Sequence, residues 1–405
     1  MKIGIIREGK TQPDKRTPFT PSQMRSLSDQ YPDQLSFYVQ SSPHRCYSDE
    51  EFELAGIPVV EDISFCELLM GIKEVPVHLL IPEKKYIFFS HTIKKQKHNR
   101  ALLQSVLEKN ITLLDYEVLK DEAGNRTVAF GRWAGIVGAY NGLWTYGKKS
   151  GLYDIKRAYE CFDRTELDTE LKKVQLPPIK IIVTGSGRVG KGILEVLNTV
   201  GIAQVSPKEI LFQYFEEPVF TALSCADYNR RRTDGGFEKE QFYQTPEIYE
   251  SHFLKYAEVA DILMAGAYWD RRAPRLFEWE HIQSEDFNLS VIADITCDID
   301  GSIPTTIRPS SVHHPVYDID RDTFEELEAF GKQNSISVMA IDNLPTELPR
   351  DASEEFGDQL TRNFIPELLK ESSGILEKAT IAKDGDLTLE FFFLKDFVEG
   401  NEEEI

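Results

Sequence analysis

Short continuous apolar runs recur through the first part of the chain at Lys2–Ile6, Leu35–Val39, Leu68–Ile72, Tyr86–Phe89 and Ile111–Leu114. Runs of this length, spaced by room for a helix, predict buried strands in βα units and a mostly parallel sheet. A second series repeats the pattern at Ile179–Val183, Ile210–Phe215, Ile262–Ala265, Val291–Ile295 and Ile336–Ile341. Between the two, Gly135 to Pro178 reads first as a long helix and then as a polar connection containing Pro177 and Pro178. Beyond Ile341, Phe356, Leu360, Phe364 and Leu368 recur at the i, i+4 spacing of an amphipathic helix that Asp351 or Ser353 can cap, predicted to pack back onto the first domain. A hairpin around Lys383-Asp384-Gly385-Asp386 closes the chain.

With 405 residues the chain exceeds the single-core limit of about 250–300, so two domains are expected. No apolar window of roughly 18 residues suggests a membrane span, and the opening MKIGIIREGK reads as a strand and polar loop, so a cytoplasmic location is expected. Cys46, Cys66, Cys161, Cys225 and Cys297 lack metal-ligand spacing; no metal and no disulfide framework are expected. The net charge of -21 argues against nucleic-acid or anionic-membrane partners, which need a basic footprint, and the run Glu402, Glu403, Glu404 reads as a solvated, disordered tail. Basic side chains directed at a cleft would therefore point to an anionic small-molecule substrate.

The strand PIKIIV runs into Gly185-Ser186-Gly187-Arg188-Val189-Gly190, followed by a helix with Ile193, Val196, Leu197 and Val200 on one face. This is G-x-G-x-x-G in the context its chemistry needs. Gly185 permits the tight turn, Gly187 lets the backbone approach a pyrophosphate, Gly190 allows close helix packing, and the helix N-terminus offers free N–H groups. Glu216 or Glu217, at the end of the expected next strand, could take a ribose hydroxyl, which favours NAD; Arg188 is the one nearby group suited to the extra phosphate of NADP.

Ligands of doubly wound sheets bind outside the carboxyl ends of the strands. In the first series that edge receives Arg16, then Lys73 and Glu74, then His91, Lys94 and Gln96, then Asp115 and Glu117, with Arg126 further along. Basic and titratable groups gathered there would bind a dicarboxylate and supply acid–base chemistry.

Taken in order, REGK-x5-R-TPFTP, GIKEVP, YIFFSHTIKKQ, LLDYE, VAFGRWAG, GSGRVGKG, ADITCDIDGSIP and SVMAIDNLPTELPRDASEEFGD resemble the lysine-forming saccharopine dehydrogenase and lysine-ketoglutarate reductase family, within the alanine dehydrogenase/transhydrogenase superfamily. The resemblance covers nearly the whole chain. It implies an α/β fold of two Rossmann-like, doubly wound parallel-sheet domains with the active site in the inter-domain cleft. Residues 1–140 plus 345–405 would form the substrate domain, and residues 141–344 the dinucleotide-binding domain with its connecting helix. Lys73 and His91 match the acid–base pair. Arg16, Gln96, Arg126, Phe130, Thr296, Cys297 and Asp298 match substrate contacts, which Glu74, Lys94 and Glu117 would join. Gly187, Arg188, Tyr268, Ile295, Ile341, Asp342, Asn343 and Leu344 match contacts to NAD or NADP. The implied reaction joins lysine and 2-oxoglutarate into saccharopine, or the reverse. An alanine-dehydrogenase-like enzyme and a catalytically silent nucleotide sensor are the alternatives, and intact Lys73, His91 and GSGRVG count against the latter.

Overall fold

The computed structural model describes residues 1–10, 14–332 and 334–401, so Glu402, Glu403 and Glu404 lie outside the described residues. The chain divides into two compact units, Met1–Phe130 with Pro349–Ile405, and Gly131–Leu348.

In the first unit β1 (Lys2–Ile5), β2 (Ser36–Gln40), β3 (Val59–Val60), β4 (Leu68–Met70), β5 (Lys85–Phe88) and β6 (Thr112–Asp115) lie parallel. Their order is β6-β5-β4-β1-β2-β3, so the chain departs in opposite directions from β1 and β4. This switch point opens a crevice at the carboxyl edge. Leu69, Tyr86, Phe88 and Leu113 pack with Leu102, Leu103 and Val106 of the helix Arg100–Glu108 in a shared core. At the far edge Thr380–Lys383 runs antiparallel to β6 and turns back into Asp386–Leu387. The turn residues Asp384 and Gly385 have φ of 54° and 79°, the two left-handed positions a tight hairpin requires.

The helix Pro349–Asn363 also belongs to this unit, with Phe356 and Leu360 buried. It starts ahead of the expected cap. Asp351 falls in its first turn, and the Ser353 hydroxyl, inside the helix, accepts from Thr17 N at 2.9 Å and donates to Pro349 O at 2.6 Å.

The second unit contains β7 (Lys180–Thr184), β8 (Ala203–Gln204), β9 (Val219–Leu223), the antiparallel pair β10 (Asn229–Arg231) and β11 (Tyr249–Ser251), β12 (Ile262–Ala265), β13 (Val291–Asp294), β14 (Val316–Asp320), β15 (Glu326–Leu327) and β16 (Ser335–Met339). Its main sheet has the order β15-β14-β16-β13-β12-β7-β9-β8, parallel from β16 to β8 and antiparallel at β14 and β15.

Two departures from the sequence pattern have clear causes. Ile210–Phe215 is not a strand. Ser206 and Glu209 form a capping box and Pro207 opens a helix, Pro207–Phe212, in which Ile210 alone is buried and Phe212 is exposed. The strand beside β7 is instead β9. The fully buried β14, VYDID, went unanticipated because two acids interrupt its apolar run; Asp318 is accommodated by accepting from the Ser335 and Ser337 hydroxyls, each at 2.6 Å.

The helix Gly131–Ser150 is buried along most of its length, so the segment expected to begin a connection is a core element of the second unit. No helix among the described residues is long and apolar enough to cross a membrane.

Candidate functional site

In the second unit β7 ends at the glycine turn. Gly185 has φ of 101°, and a Cβ there would lie 2.7 Å from Gly266 O. Gly190 faces the carbonyl of Gly185, which a Cβ would approach to 2.0 Å. Gly187 is different: no atom lies within 4 Å of its would-be Cβ, and it opens the helix Arg188–Val200 without a side-chain cap. Open space before a bare backbone and uncapped N–H groups fits a pyrophosphate. Ser186, Gly187 and Arg188 are exposed and Val189 partly covered.

The same edge carries Tyr268 beyond β12, Ile295 through Asp298 beyond β13, and Ile341 through Leu344 beyond β16. Four adjacent parallel strands therefore bring these residues to one sheet edge. Asp294, the last residue of β13, accepts from Thr296 Oγ1 and Thr306 Oγ1 at 2.6 Å each and from Thr296 N and Cys297 N, which fixes the turn. Cys297 has φ of 52°; burial pushes its thiol up to about 12, and it donates to Ala340 O at 3.0 Å, which holds it as the thiol rather than the thiolate. Behind the Ile341–Leu344 segment the buried Glu347 accepts from Arg157 at 3.1 and 3.2 Å and from Asn141 at 3.1 Å.

Glu216 does not join this edge. It precedes β9, and that strand ends at Leu223-Ser224, beside Gly185. The nearest following acid, Asp227, already accepts from Ser224 N and Ser224 Oγ at 2.7 Å. The ground for favouring NAD is thus removed.

Gly187→Val is expected to leave the melting temperature near that of the parent, because the space is empty, while weakening dinucleotide binding at least tenfold by placing a branched side chain where phosphate would sit. Calorimetric titration with NADH and NADPH checks both parts, and parent-like affinity for each would refute the assignment.

In the first unit Lys73 and Glu74 follow β4, His91 follows β5, and Glu117 follows β6, on three adjacent strands. His91 has φ of 53° and its Nδ1 meets Glu74 Oε1 at 2.5 Å. The other oxygen of Glu74 lies 2.5 Å from Lys10 Nζ. Burial alone would raise the Glu74 carboxyl, but the His91 and Lys10 contacts outweigh it and bring it down to about 2. Asp115, fully buried, accepts from Ser90 N at 2.9 Å, Ser90 Oγ at 2.5 Å and Glu117 N at 2.7 Å, tying the turns after β5 and β6 together.

Glu117 Oε1 lies 3.7 Å from Lys94 Nζ and 3.6 Å from Arg126 Nη1. Its Oε2 is buried with no hydrogen-bond partner among the described residues. The Arg126 guanidinium sits 5.3 Å from the Phe89 ring centroid, and its Nε donates to Val128 O at 2.9 Å. Arg16 is almost wholly buried, held bidentately by Asp14 at 2.9 and 2.6 Å and stacked 4.1 Å over Phe130. Phe130 in turn stacks on Phe356 at 4.4 Å, which anchors the returning helix. Gln96 and Lys94 are exposed on the segment after His91. Lys10, Asp14 and Phe89 were not singled out from sequence; the D-x-R spacing before TPFTP was the available signal for Asp14.

A model of the alanine dehydrogenase/PNT N-terminal domain matches residues 4–137. The chain is 30% identical to the mitochondrial alpha-aminoadipic semialdehyde synthase of Rattus norvegicus, over 99% of this chain and 48% of that protein. It is 27% identical to the saccharopine dehydrogenase [NAD(+), L-lysine-forming] of Yarrowia lipolytica, over 91% of this chain and 92% of that one. The chain thus spans about half the length of the synthase relatives it matches. Among solved structures an L-alanine dehydrogenase has the same fold, with a TM-score of 0.65 and 17% identity over 98% of this chain and 99% of that one.

Proposed function

Because the chain belongs to the alanine dehydrogenase/transhydrogenase superfamily, close to its saccharopine dehydrogenase and alpha-aminoadipic semialdehyde synthase members, we propose that it interconverts saccharopine with L-lysine and 2-oxoglutarate. At a coarser level the relatives support an NAD(P)-dependent oxidoreductase acting on an amino-acid or imine substrate. The first unit is read as the substrate domain and the second as the dinucleotide domain. The observation that carries the finer reading is Glu117 Oε2, a buried carboxylate oxygen with no hydrogen-bond partner among the described residues, beside cations suited to carboxylates. That combination suits a substrate carrying both ammonium and carboxylate groups.

In the proposed reaction the lysine ε-amine attacks the oxo carbon, the carbinolamine loses water, and the carbon–nitrogen double bond is reduced. The nicotinamide dinucleotide, NAD or NADP, would supply the hydride. With Nδ1 held by Glu74, His91 has Nε2 left to protonate the departing hydroxyl, and Glu74 stabilises the imidazolium when it forms. Lys73 exchanges the proton of the secondary amine, Glu117 receives a substrate ammonium, and Arg126 holds a carboxylate. Cofactor oxidation assayed with lysine plus 2-oxoglutarate, and with ammonia plus pyruvate as the competing pair, tests the reading. Turnover with the second pair alone would refute it.

Arg126→Ala is expected to raise the KM for 2-oxoglutarate about 10–100-fold, the worth of a charge-assisted contact, with little change in the KM for the dinucleotide. Arg126 is a cleaner probe than Arg16, whose removal would also strand the buried Asp14 carboxylate. Equal rises in both constants would assign Arg126 a structural role.

A further inference from the structure

At the switch point of the first unit the backbone ladder between β1 and β4 runs as far as Ile6 N to Met70 O, at 3.0 Å. Beyond it the two loops diverge, and the next inward amides on the β4 side, those of Ile72 and Lys73, have no opposing strand. Glu8 takes both. Its Oε1 accepts from Ile72 N at 2.7 Å and its Oε2 from Lys73 N at 3.1 Å. On the opposite side Ile72 O accepts from Phe89 N at 3.0 Å, so the dipeptide is gripped from both neighbours. Gly71 makes this approach possible: a Cβ there would lie 2.5 Å from Ile6 Cδ1 and 3.3 Å from Glu8 Oε1.

We propose that Glu8 is a positioning residue, whose carboxyl extends the sheet ladder past β1 to fix the Ile72–Lys73 backbone and, through it, the Lys73 amine; the role rests on reading Lys73 as a proton carrier. A carboxyl is the one side chain of this length with an acceptor on each arm; glutamine keeps one and leucine none. Among the described residues, Glu8 interacts electrostatically with Asp14 and Arg16 from its own loop, Arg45 from the loop after β2 and Tyr116 from the turn after β6. Although the residue as a whole is only partly covered, withdrawal of its carboxyl from water and the charge of Asp14 push it up to about 8, against two amide bonds and Arg16. The geometry uses both oxygens as acceptors, the arrangement of the carboxylate form, which the two amide bonds and Arg16 favour.

The test uses the full chain with Glu8→Gln, Glu8→Leu and, in parallel, Lys73→Met. Hydrogen exchange at the Ile72 and Lys73 amides is expected to accelerate in the order parent, Gln, Leu. In the same order kcat should fall, about tenfold and about 100-fold, the scale set by displacing a reacting group by roughly 1 Å. The KM for the dinucleotide should stay within about twofold, a split that general destabilisation would not produce. Unchanged exchange, or unchanged kcat in a folded Gln variant while Lys73→Met is impaired, would overturn the positioning role alone. Parent-like turnover in Lys73→Met would overturn the reading of Lys73 and this role with it. Should the Leu variant fail to fold, the near-isosteric Gln variant decides.

Discussion

Turnover should fall about 10²–10⁴-fold in both His91→Gln and Lys73→Met, with dinucleotide affinity unchanged. The expectation rests on placement: both side chains rise from loops beyond adjacent parallel strands, and Glu74 holds His91 Nδ1 at 2.5 Å. Glutamine keeps the size and polarity of the imidazole but cannot take up a proton near neutral pH. Methionine keeps the length of lysine without its amine. If the two groups titrate in catalysis, each variant should lose one limb of the bell in kcat/KM against pH. Two variants that kept both limbs and parent-like turnover would refute the pair, leaving Glu117 as the next candidate.

The His91–Glu74 contact also carries a signature in stability. The folded Glu74 carboxyl, at about 2, lies below its ordinary value of 4.5, so its contribution is present above pH 4.5 and lost as pH falls toward 2. His91→Gln, which removes one contact responsible for that shift, should move acid unfolding to higher pH.

Gly192→Val should destabilise the second unit by about 3 kcal/mol or more, roughly 6–12 °C in the Tm of its transition. The helices Gly131–Ser150 and Arg188–Val200 approach through paired glycines. A Cβ on Gly192 would lie 2.1 Å from Arg132 O, and one on Gly135 would lie 2.0 Å from Val189 O. Both obstacles are backbone, so no rotamer change relieves them and the helices must separate. The second helix opens at the proposed pyrophosphate turn, so binding should weaken along with stability, unlike in Gly187→Val. Gly374→Ala, where no atom lies within 4 Å, is the control. A Tm for Gly192→Val within about 1 °C of the parent would show that the helix contact yields more readily than its geometry indicates.

Much of the architecture was legible because it is written in local pattern. Each first-series apolar run overlaps a strand, the G-x-G-x-x-G turn leads from β7 into a helix, and Asp384-Gly385 forms a hairpin turn. Local signals also explain the misreading at Ile210–Phe215, where apolar content suggested a strand but a cap box and an N1 proline determined a helix. The displaced strand moved Glu216 away from the edge where a ribose contact was expected. The glycines at 131, 135, 138 and 142 form a stripe whose purpose appears only when its neighbours are known: a Cβ on Gly138 would lie 2.4 Å from Ile295 Cγ1, and one on Gly142 2.9 Å from Ala293 Cβ.

The sequence by itself determined the parallel strands of the first unit that carry long apolar runs, where the phosphate-binding turn falls, and that Lys73, Glu74, His91 and Glu117 follow strand ends. Only the tertiary structure decided the partners: Glu8 with the amides of Ile72 and Lys73, Glu74 with His91 and Lys10, Asp115 with Ser90, and Phe130 with Phe356. Periodicity and capping report interactions within a few residues, whereas these pairings depend on strand order and on how far each loop travels beyond its strand. Both follow from packing whole elements together, and neither leaves a spacing that the chain displays before it folds.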